Sequence, residues 1–113
     1  TDYAFRRGDT AEFLRRTYEG FTPGGISILL AHNPITFDAV TDLPVDLTVA
    51  GHTHGGQIVL TREERSPSIA DPFIPYTHGL YRRGGQALYV NVGLGSWFAL
   101  RINCPPEITL YQL

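Results

Sequence analysis

Two histidines at alternate positions are the residues of this chain best suited to chemistry. His52 and His54 lie in the stretch AGHTHGGQ at positions 50–57, directly after the apolar run 47–50. In an extended segment alternate side chains point the same way, so both imidazoles can reach into one space while Thr53 points elsewhere. Neutral imidazole is a common ligand of zinc, manganese and iron. The stretch therefore predicts half of a metal site, in a glycine-framed loop that can approach an ion closely.

A third histidine is expected at the same edge of the fold. His32 follows the short apolar run 26–31, and His52 follows the run 45–50, so two successive predicted strands each end near a histidine. The strand–helix–strand pattern predicts a parallel or mixed layer of an α/β fold, and such layers bind ligands at the carboxyl ends of their strands. We therefore expect His32, His52 and His54 to converge on metal.

Local patterns in the first half of the chain predict the elements that position these histidines. Asp9 is expected to cap a helix of about ten residues. The run 26–31 is nearly unbroken in apolar character, which predicts a strand covered on both faces. Asn33 and Pro34 predict the N-cap and the first residue of a short helix over 35–40.

The second half of the chain predicts a β-rich tail. Residues 57–60 are expected to form a short strand, and 61–76 a long exposed excursion because prolines and charged residues are frequent there. The runs 78–83 and 86–92 flank a Gly-Gly pair, which is a two-residue hairpin pattern. Residues 108–113 predict a closing strand.

Two metal arrangements are compatible with these residues. Three histidines with one open position describe a single zinc site. The alternative is a two-metal centre with ions roughly 3.5–4 Å apart, in which the two histidines of the loop bind different ions. Such a centre needs anionic ligands, and no acidic residue lies next to either histidine cluster; the nearest, Asp46, precedes its strand. Alone, the chain therefore accounts for about half of a binuclear site.

Composition restricts the remaining function classes. The 113 residues are 42% hydrophobic and 18% charged with a formal charge of −2, so we expect a packed domain and no nucleic-acid surface. The chain has no methionine and begins at Thr1, so we expect a processed product or a piece of a longer protein, and its localisation stays open. Trp97 and Phe98 follow a glycine-rich turn, where packing is the first interpretation. The alternative is contact with an apolar leaving group or a lipid, which makes a membrane lipid a candidate substrate.

The order of these motifs resembles the carboxyl-terminal half of the calcineurin-like metallophosphoesterases. The resemblance rests on His32 after an apolar strand, followed twenty positions later by the Gly-His-x-His motif. The longer string GHTHGGQ and several tail features narrow it to a branch of predicted phosphohydrolases that includes bacterial cell-envelope phosphodiesterases and a lipid A-precursor pyrophosphatase type. The tail features are the segments 79–81, 88–90, 93–95 and 106–108, and Arg101.

The resemblance implies a fold and a set of ligands. The expected fold is α/β, the carboxyl-terminal half of a metallophosphoesterase β-sandwich flanked by helices, with 1–113 forming part of a single domain whose amino-terminal half is absent. Two divalent ions (Mn, Zn or Fe) are implied, with His32 and His52 binding one and His54 the other. The family motifs Asp-x-His, Gly-Asp and Gly-Asn-His-Asp/Glu supply the remaining ligands and do not occur here in their family context, so no catalytic residue is assigned to this chain.

The implied activity is hydrolysis of a phosphomonoester, phosphodiester or pyrophosphate by a hydroxide that bridges two metal ions. Because the bridging carboxylate is missing, we expect the 113 residues to be inactive alone. We also expect them to associate with the missing half or with a second copy, since half a domain leaves strand edges and apolar faces uncovered. The alternative function is a non-catalytic metal-binding or structural module whose histidines hold one ion.

Overall fold

The histidines are carried by a four-stranded mixed sheet in a computed structural model that describes residues 7–63 and 66–112. The strands are β1 (Ile28–Leu30), β2 (Leu47–Ala50), β3 (Gly79–Arg83) and β4 (Gln86–Val90), in the spatial order β1-β2-β4-β3. β1 and β4 both pair with β2 in parallel, and β3 pairs with β4 in antiparallel orientation. The predicted α/β layer with a mixed sheet is therefore confirmed.

The connection from β1 to β2 contains the predicted short helix. It is a 3₁₀ helix, Pro34–Ala39, and the Asn33 side chain accepts a hydrogen bond from the Ile35 backbone N–H at 3.1 Å. Proline fits the first helical position because it has no N–H to leave without a partner. Phe37 is buried and anchors this helix to the core. The predicted cap and helix are therefore confirmed.

The main core lies between the sheet and two helices. The amino-terminal helix α1 spans Arg7–Tyr18 and contributes buried Leu14 to this core. Because α1 begins at Arg7, Asp9 lies inside the helix, and the prediction that Asp9 forms its N-cap is wrong. No helix in the described part of the chain has the length and apolar character to cross a membrane. The buried core residues are Leu14, Phe37, Val40, Val45, Ala50, Leu88 and Val90.

The hairpin β3–β4 closes one side of the sheet. Its register pairs Gly79 with Val90 and Arg83 with Gln86, so the turn falls on the Gly-Gly pair as predicted. Gly84 has φ +56°, a conformation that glycine adopts without steric cost.

The other edge of the sheet is β1, and the prediction that this strand is covered on both faces is wrong within the described chain. Ile26 is 65% exposed and Leu30 is 77% exposed. β1 pairs only with β2, so its second backbone edge has no neighbouring strand among residues 7–63 and 66–112. Among the described residues, the exposed apolar side chains on this face of the strand are therefore not covered by another element.

The rest of the tail contains fewer strands than predicted. Residues 108–112 form no strand, and Leu113 lies outside the described residues. Residues 57–60 make only isolated bridges, from Ile58 to Ile102 and from Val59 to Ser68. A strand requires a continuous ladder along a neighbouring backbone, and each of these bridges is a single isolated contact. One sheet is therefore described, and the second sheet of the expected sandwich is not part of it.

Candidate metal centre

His32 and His52 meet at the carboxyl ends of two parallel strands. Their nearest ring nitrogens, His32 Nε2 and His52 Nδ1, lie 2.8 Å apart, and the ring centroids are 4.3 Å apart with 42° between planes. The pairing of β1 with β2 continues beyond both strands, because the Gly51 N–H donates to the His32 carbonyl at 3.2 Å. The register of the sheet thus brings together two side chains that are twenty positions apart in sequence.

The spacing of these two nitrogens fits a shared cation. Two imidazole nitrogens that each bind one ion at about 2.0–2.1 Å are separated by roughly 3 Å. His32 Nε2 and His52 Nδ1 have nearly this separation, and imidazole suits borderline divalent metals. In the absence of a cation the same contact is a hydrogen bond, in which one ring donates and the other accepts.

The backbone of the histidine loop is not extended. His52, His54 and Gln57 have φ angles of +71°, +51° and +62°, and residues 54–56 form a single 3₁₀ turn. The premise that an extended segment aims both rings of the loop into one space is therefore wrong. No group of three or more His, Cys, Asp or Glu side chains placed to hold a metal occurs in residues 7–63 and 66–112. His32 and His52 come together, whereas His54 makes different contacts.

His54 is held by the segment that follows β4. Its Nδ1–H donates to the Gly95 carbonyl at 2.9 Å, and its ring packs edge-on against Trp97 with centroids 5.4 Å apart. A carbonyl can only accept, so this bond places the ring proton on Nδ1 and leaves Nε2 with the lone pair that a metal requires. The bond to Gly95 and the contact with Trp97 therefore fix the orientation of the His54 ring.

Arg101 fixes the carbonyl that orients His54. Its guanidinium donates to the carbonyls of Gly95, Val92 and Cys104, the last two at 3.0 and 3.1 Å. Five N–H donors in a planar fork suit this task, since several carbonyls of one turn can be satisfied at once. Sequence analysis assigned no role to this residue beyond the resemblance.

Gln57 joins the histidine loop to the segment 97–100. Its Nε2 donates to the carbonyls of Phe98 and Leu100 at 2.8 and 2.6 Å, and its Oε1 accepts the N–H groups of Trp97 and Phe98 at 2.5 and 3.3 Å. The side chain is fully buried, so these bonds satisfy an amide that water cannot reach. No local pattern predicts this role, because the partners of Gln57 lie at least forty positions away in the sequence.

Comparison with known proteins identifies relatives of this chain. No family model matches the chain, and no solved structure matches it. It is 41% identical over 91 residues to phosphodiesterase YaeI of Escherichia coli strain K12, which covers 76% of this chain and 32% of YaeI. It is 46% identical over 89 residues to the uncharacterized metallophosphoesterase YkuE of Bacillus subtilis strain 168, covering 77% and 30%. It is 33% identical over 105 residues to the UDP-2,3-diacylglucosamine pyrophosphatase LpxG of Chlamydia trachomatis, covering 87% and 32%.

The chain is a homologue of metallophosphoesterases. The resemblance inferred from the histidine motifs is thereby confirmed at the level of this family. The chain spans about 30% of the length of the curated relatives it matches. Metallophosphoesterases use metal ions, which agrees with the imidazole donor set described above.

Two glycines of the metallophosphoesterase motif are required by packing. A Cβ on Gly55 would lie 2.5 Å from Cys104 Sγ and 2.9 Å from Val92 Cγ1. A Cβ on Gly56 would clash with Ser68 and Ala70. Ser68 is buried, and its hydroxyl donates to the Gly55 carbonyl at 2.9 Å. The excursion 61–76 was predicted to be exposed, and at Ser68 this prediction is wrong. Burial raises the pKa of the Cys104 thiol, and the nearby Arg101 guanidinium opposes that rise.

The remaining polar candidates have local partners. Arg83 forms an ion pair with Asp38 at 2.7 Å and donates to the Tyr76 hydroxyl at 2.6 Å. Burial raises the pKa of Tyr76, and the hydrogen bond to the Asp38 carboxylate raises it further. His78 Nδ1 lies 3.1 Å from Thr77 Oγ1, and this contact does not involve the His32–His52 pair. These groups support loops around the histidines and add no further imidazole to the pair.

Proposed function

We propose that this chain supplies the metal-binding carboxyl-terminal portion of a binuclear metallophosphoesterase that hydrolyses a phosphomonoester, phosphodiester or pyrophosphate. The observation that carries the proposal is the 2.8 Å approach of His32 Nε2 and His52 Nδ1 in a homologue of metallophosphoesterases. These two nitrogens hold one divalent ion, Mn, Zn or Fe. His54 offers Nε2 to the second ion.

The residues of this chain position the metal ligands. When bound, the ions supply Lewis-acid stabilisation of charge that develops on the phosphoryl oxygens. His32 and His52 bind as neutral imidazoles at the ends of two strands, where the sheet fixes their separation. Gly95 and Arg101 hold the tautomer and direction of His54. Removal of partners that orient ligating histidines weakens metal binding about 10–100-fold in other proteins.

The remaining ligands come from residues that precede this chain in the complete domain. Within the described part of the chain, one edge of β1 pairs with no strand, and the adjoining apolar side chains Ile26 and Leu30 are exposed, which suits pairing with the amino-terminal half of the same domain. That pairing completes the β-sandwich flanked by helices. A second copy of the chain is the other occupant of this edge. No carboxylate joins the histidine pair in a possible metal-binding group among residues 7–63 and 66–112, so in this proposal the 113 residues alone are inactive.

The substrate is a phosphoester, and the activities of the relatives indicate its range. YaeI is a phosphodiesterase, and LpxG is a UDP-2,3-diacylglucosamine pyrophosphatase. A lipid-linked phosphoester is therefore included among the candidate substrates of this chain.

Metal stoichiometry and turnover test the proposal. The complete protein that contains this chain should bind two Mn²⁺ per active site by calorimetry and hydrolyse bis(4-nitrophenyl) phosphate, whereas the 113-residue chain should not turn over. Turnover by the isolated chain would contradict the inactivity. The alternative is a non-catalytic module whose histidines hold one ion. One tightly bound ion without activity in the complete protein would establish that alternative.

A further inference from the structure

An open apolar groove lies directly beside His52. Its volume is about 310 Å³, which is within the range of pockets that hold small ligands. The groove runs between the start of the 3₁₀ helix, the segment 73–76 and Trp97. Its apolar walls are Pro34, Ile35, Phe73, Ile74, Pro75 and Trp97.

The chemistry of the walls indicates what the groove can accept. None of the described residues that line it carries a carboxylate, an ammonium or a guanidinium group. The polar contribution comes from His52, Thr53, Asn33 and Tyr76. Charged or sugar-like groups would lose hydration here without gaining matching partners, whereas a hydrocarbon chain would lose contact with water.

The walls are held in place by the contacts already described. Gln57 accepts the Trp97 N–H, and Tyr76 is held by Asp38 and Arg83. The backbone N–H of Phe73 donates to the Ala70 carbonyl at 2.9 Å, which forms a turn under its side chain. Phe73 itself is 86% exposed, so a large aromatic surface faces solvent at the rim of the groove. A ligand would cover it.

We propose that this groove binds an alkyl or acyl substituent of the phosphoester whose phosphoryl group lies at the His32–His52 pair. The proposal deepens the proposed function and rests on it for the position of the phosphoryl group. The link is His52, because its ring contacts His32 and also lines the groove. A phosphoester bound at the pair thus has an apolar surface adjacent to its leaving or retained group.

The single tryptophan of the chain gives a direct binding test. Trp97 lines the groove, so ligand in the groove changes its emission. We expect octyl phosphate to shift Trp97 emission to the blue and to bind the 113-residue chain at least about tenfold more tightly than butyl phosphate, because each buried methylene contributes roughly a fourfold gain. Inorganic phosphate should leave the emission unchanged. Equal affinity for butyl and octyl phosphate would overturn the proposal.

Two serine variants locate the site. Phe73→Ser removes apolar wall and should reduce the preference for octyl over butyl phosphate to about threefold or less. Leu110→Ser changes a leucine that is 92% exposed and does not line the groove, so it should keep the preference of the unmodified chain. If Phe73→Ser keeps the full preference, or Leu110→Ser loses it, the hydrocarbon binds elsewhere and the proposal is wrong.

The same comparison in the complete protein separates this inference from the proposed function. The kcat/KM for 4-nitrophenyl octyl phosphate should exceed that for the butyl ester, and the excess should fall in Phe73→Ser. Turnover without this chain-length preference would uphold the phosphoesterase and show that the rest of the protein covers the groove, which overturns the inference. Chain-length-dependent binding without any turnover would uphold the groove and count against the proposed function.

Discussion

The Oε1 atom of Gln57 accepts the backbone N–H of Trp97 at 2.5 Å, and this bond ties the end of the histidine loop to the wall of the apolar groove. The two residues are forty positions apart in sequence. The same buried amide also holds the carbonyls of Phe98 and Leu100. The histidine loop and the groove are therefore expected to keep or lose their shapes together.

Replacing Gln57 by leucine should therefore affect both stability and the position of Trp97. The variant leaves two carbonyls and two N–H groups of the segment 97–100 without their partner. Trp97, Phe98 and Leu100 are about half exposed, so water can replace part of these bonds, and a net loss of about 0.5–1.5 kcal/mol per hydrogen bond predicts a destabilisation of roughly 2 kcal/mol or more. Urea unfolding followed by circular dichroism measures the loss, and Trp97 emission in the native state should shift to the red.

Gln86→Leu is the matched control for this prediction. Gln86 also donates from Nε2 to two carbonyls, those of Val40 and Leu43, both at 3.0 Å, but it makes no contact with the segment 97–100. This variant should lose stability while keeping the native emission of Trp97. An unchanged emission in Gln57→Leu would show that the clamp does not position the tryptophan.

Metal binding should depend on the histidine pair. Because His32 and His52 place two nitrogens 2.8 Å apart, either alanine variant should bind Mn²⁺ or Zn²⁺ at least about tenfold more weakly in calorimetric titration. His78→Ala is the control, since the described contact of His78 is with Thr77. Equal weakening by all three variants would indicate diffuse imidazole binding and would contradict a defined centre.

Gly55 should tolerate alanine less well than another glycine of similar conformation. Gly55→Ala forces a Cβ onto Cys104 Sγ and Val92 at φ +65°, so steric overlap adds to backbone strain. Gly20 has φ +75° with nothing within 4 Å of the added Cβ, so Gly20→Ala should cost only about 1–2 kcal/mol. Thermal unfolding of the two variants measures the difference. Similar losses would mean that the loop relaxes around the added methyl group.

The Cys104 thiol should titrate above its ordinary range. Burial raises its pKa, so the folded chain binds the thiol proton more tightly than the unfolded chain does. The contribution to stability is therefore complete below about pH 9 and is lost as pH rises through the raised native pKa. Unfolding midpoints between pH 8 and 10 should fall more for the natural chain than for Cys104→Ala. Iodoacetamide should also modify the native thiol more slowly than the unfolded one at pH 8, because the thiolate is the reactive form.

Local sequence patterns predicted the framework around the site. Asn33 and Pro34 predicted the start of the short helix, because capping depends on residues that are next to each other in the chain. The Gly-Gly pair placed the β3–β4 turn for the same reason. On β4, Leu88 and Val90 are buried and Tyr89 between them is half-buried, which is the alternation that a strand with one covered face shows.

The other features of the site depend on contacts between residues far apart in sequence, which local patterns do not predict. Gln57 and Arg101 act on backbone groups brought to them by the fold, so their residue types alone gave no role. The separate position of His54 follows from positive φ angles in the loop, which contradict the extended backbone assumed for alternate residues. The run 26–31 by itself did not predict the exposure of Leu30, since an apolar strand has the same composition whether or not a neighbour covers it.

The left-handed backbone of residues 54–57 has a consequence for transplanting the motif. Each non-glycine residue held in this conformation is disfavoured by roughly 1–2 kcal/mol, so the loop keeps its form only while distant side chains brace it. In a synthetic octapeptide of the same sequence, the backbone would leave this conformation and the two imidazoles would no longer have fixed positions. Transferring this arrangement of histidines to a foreign scaffold therefore requires the bracing contacts of Gln57 and Arg101 to be transferred with them.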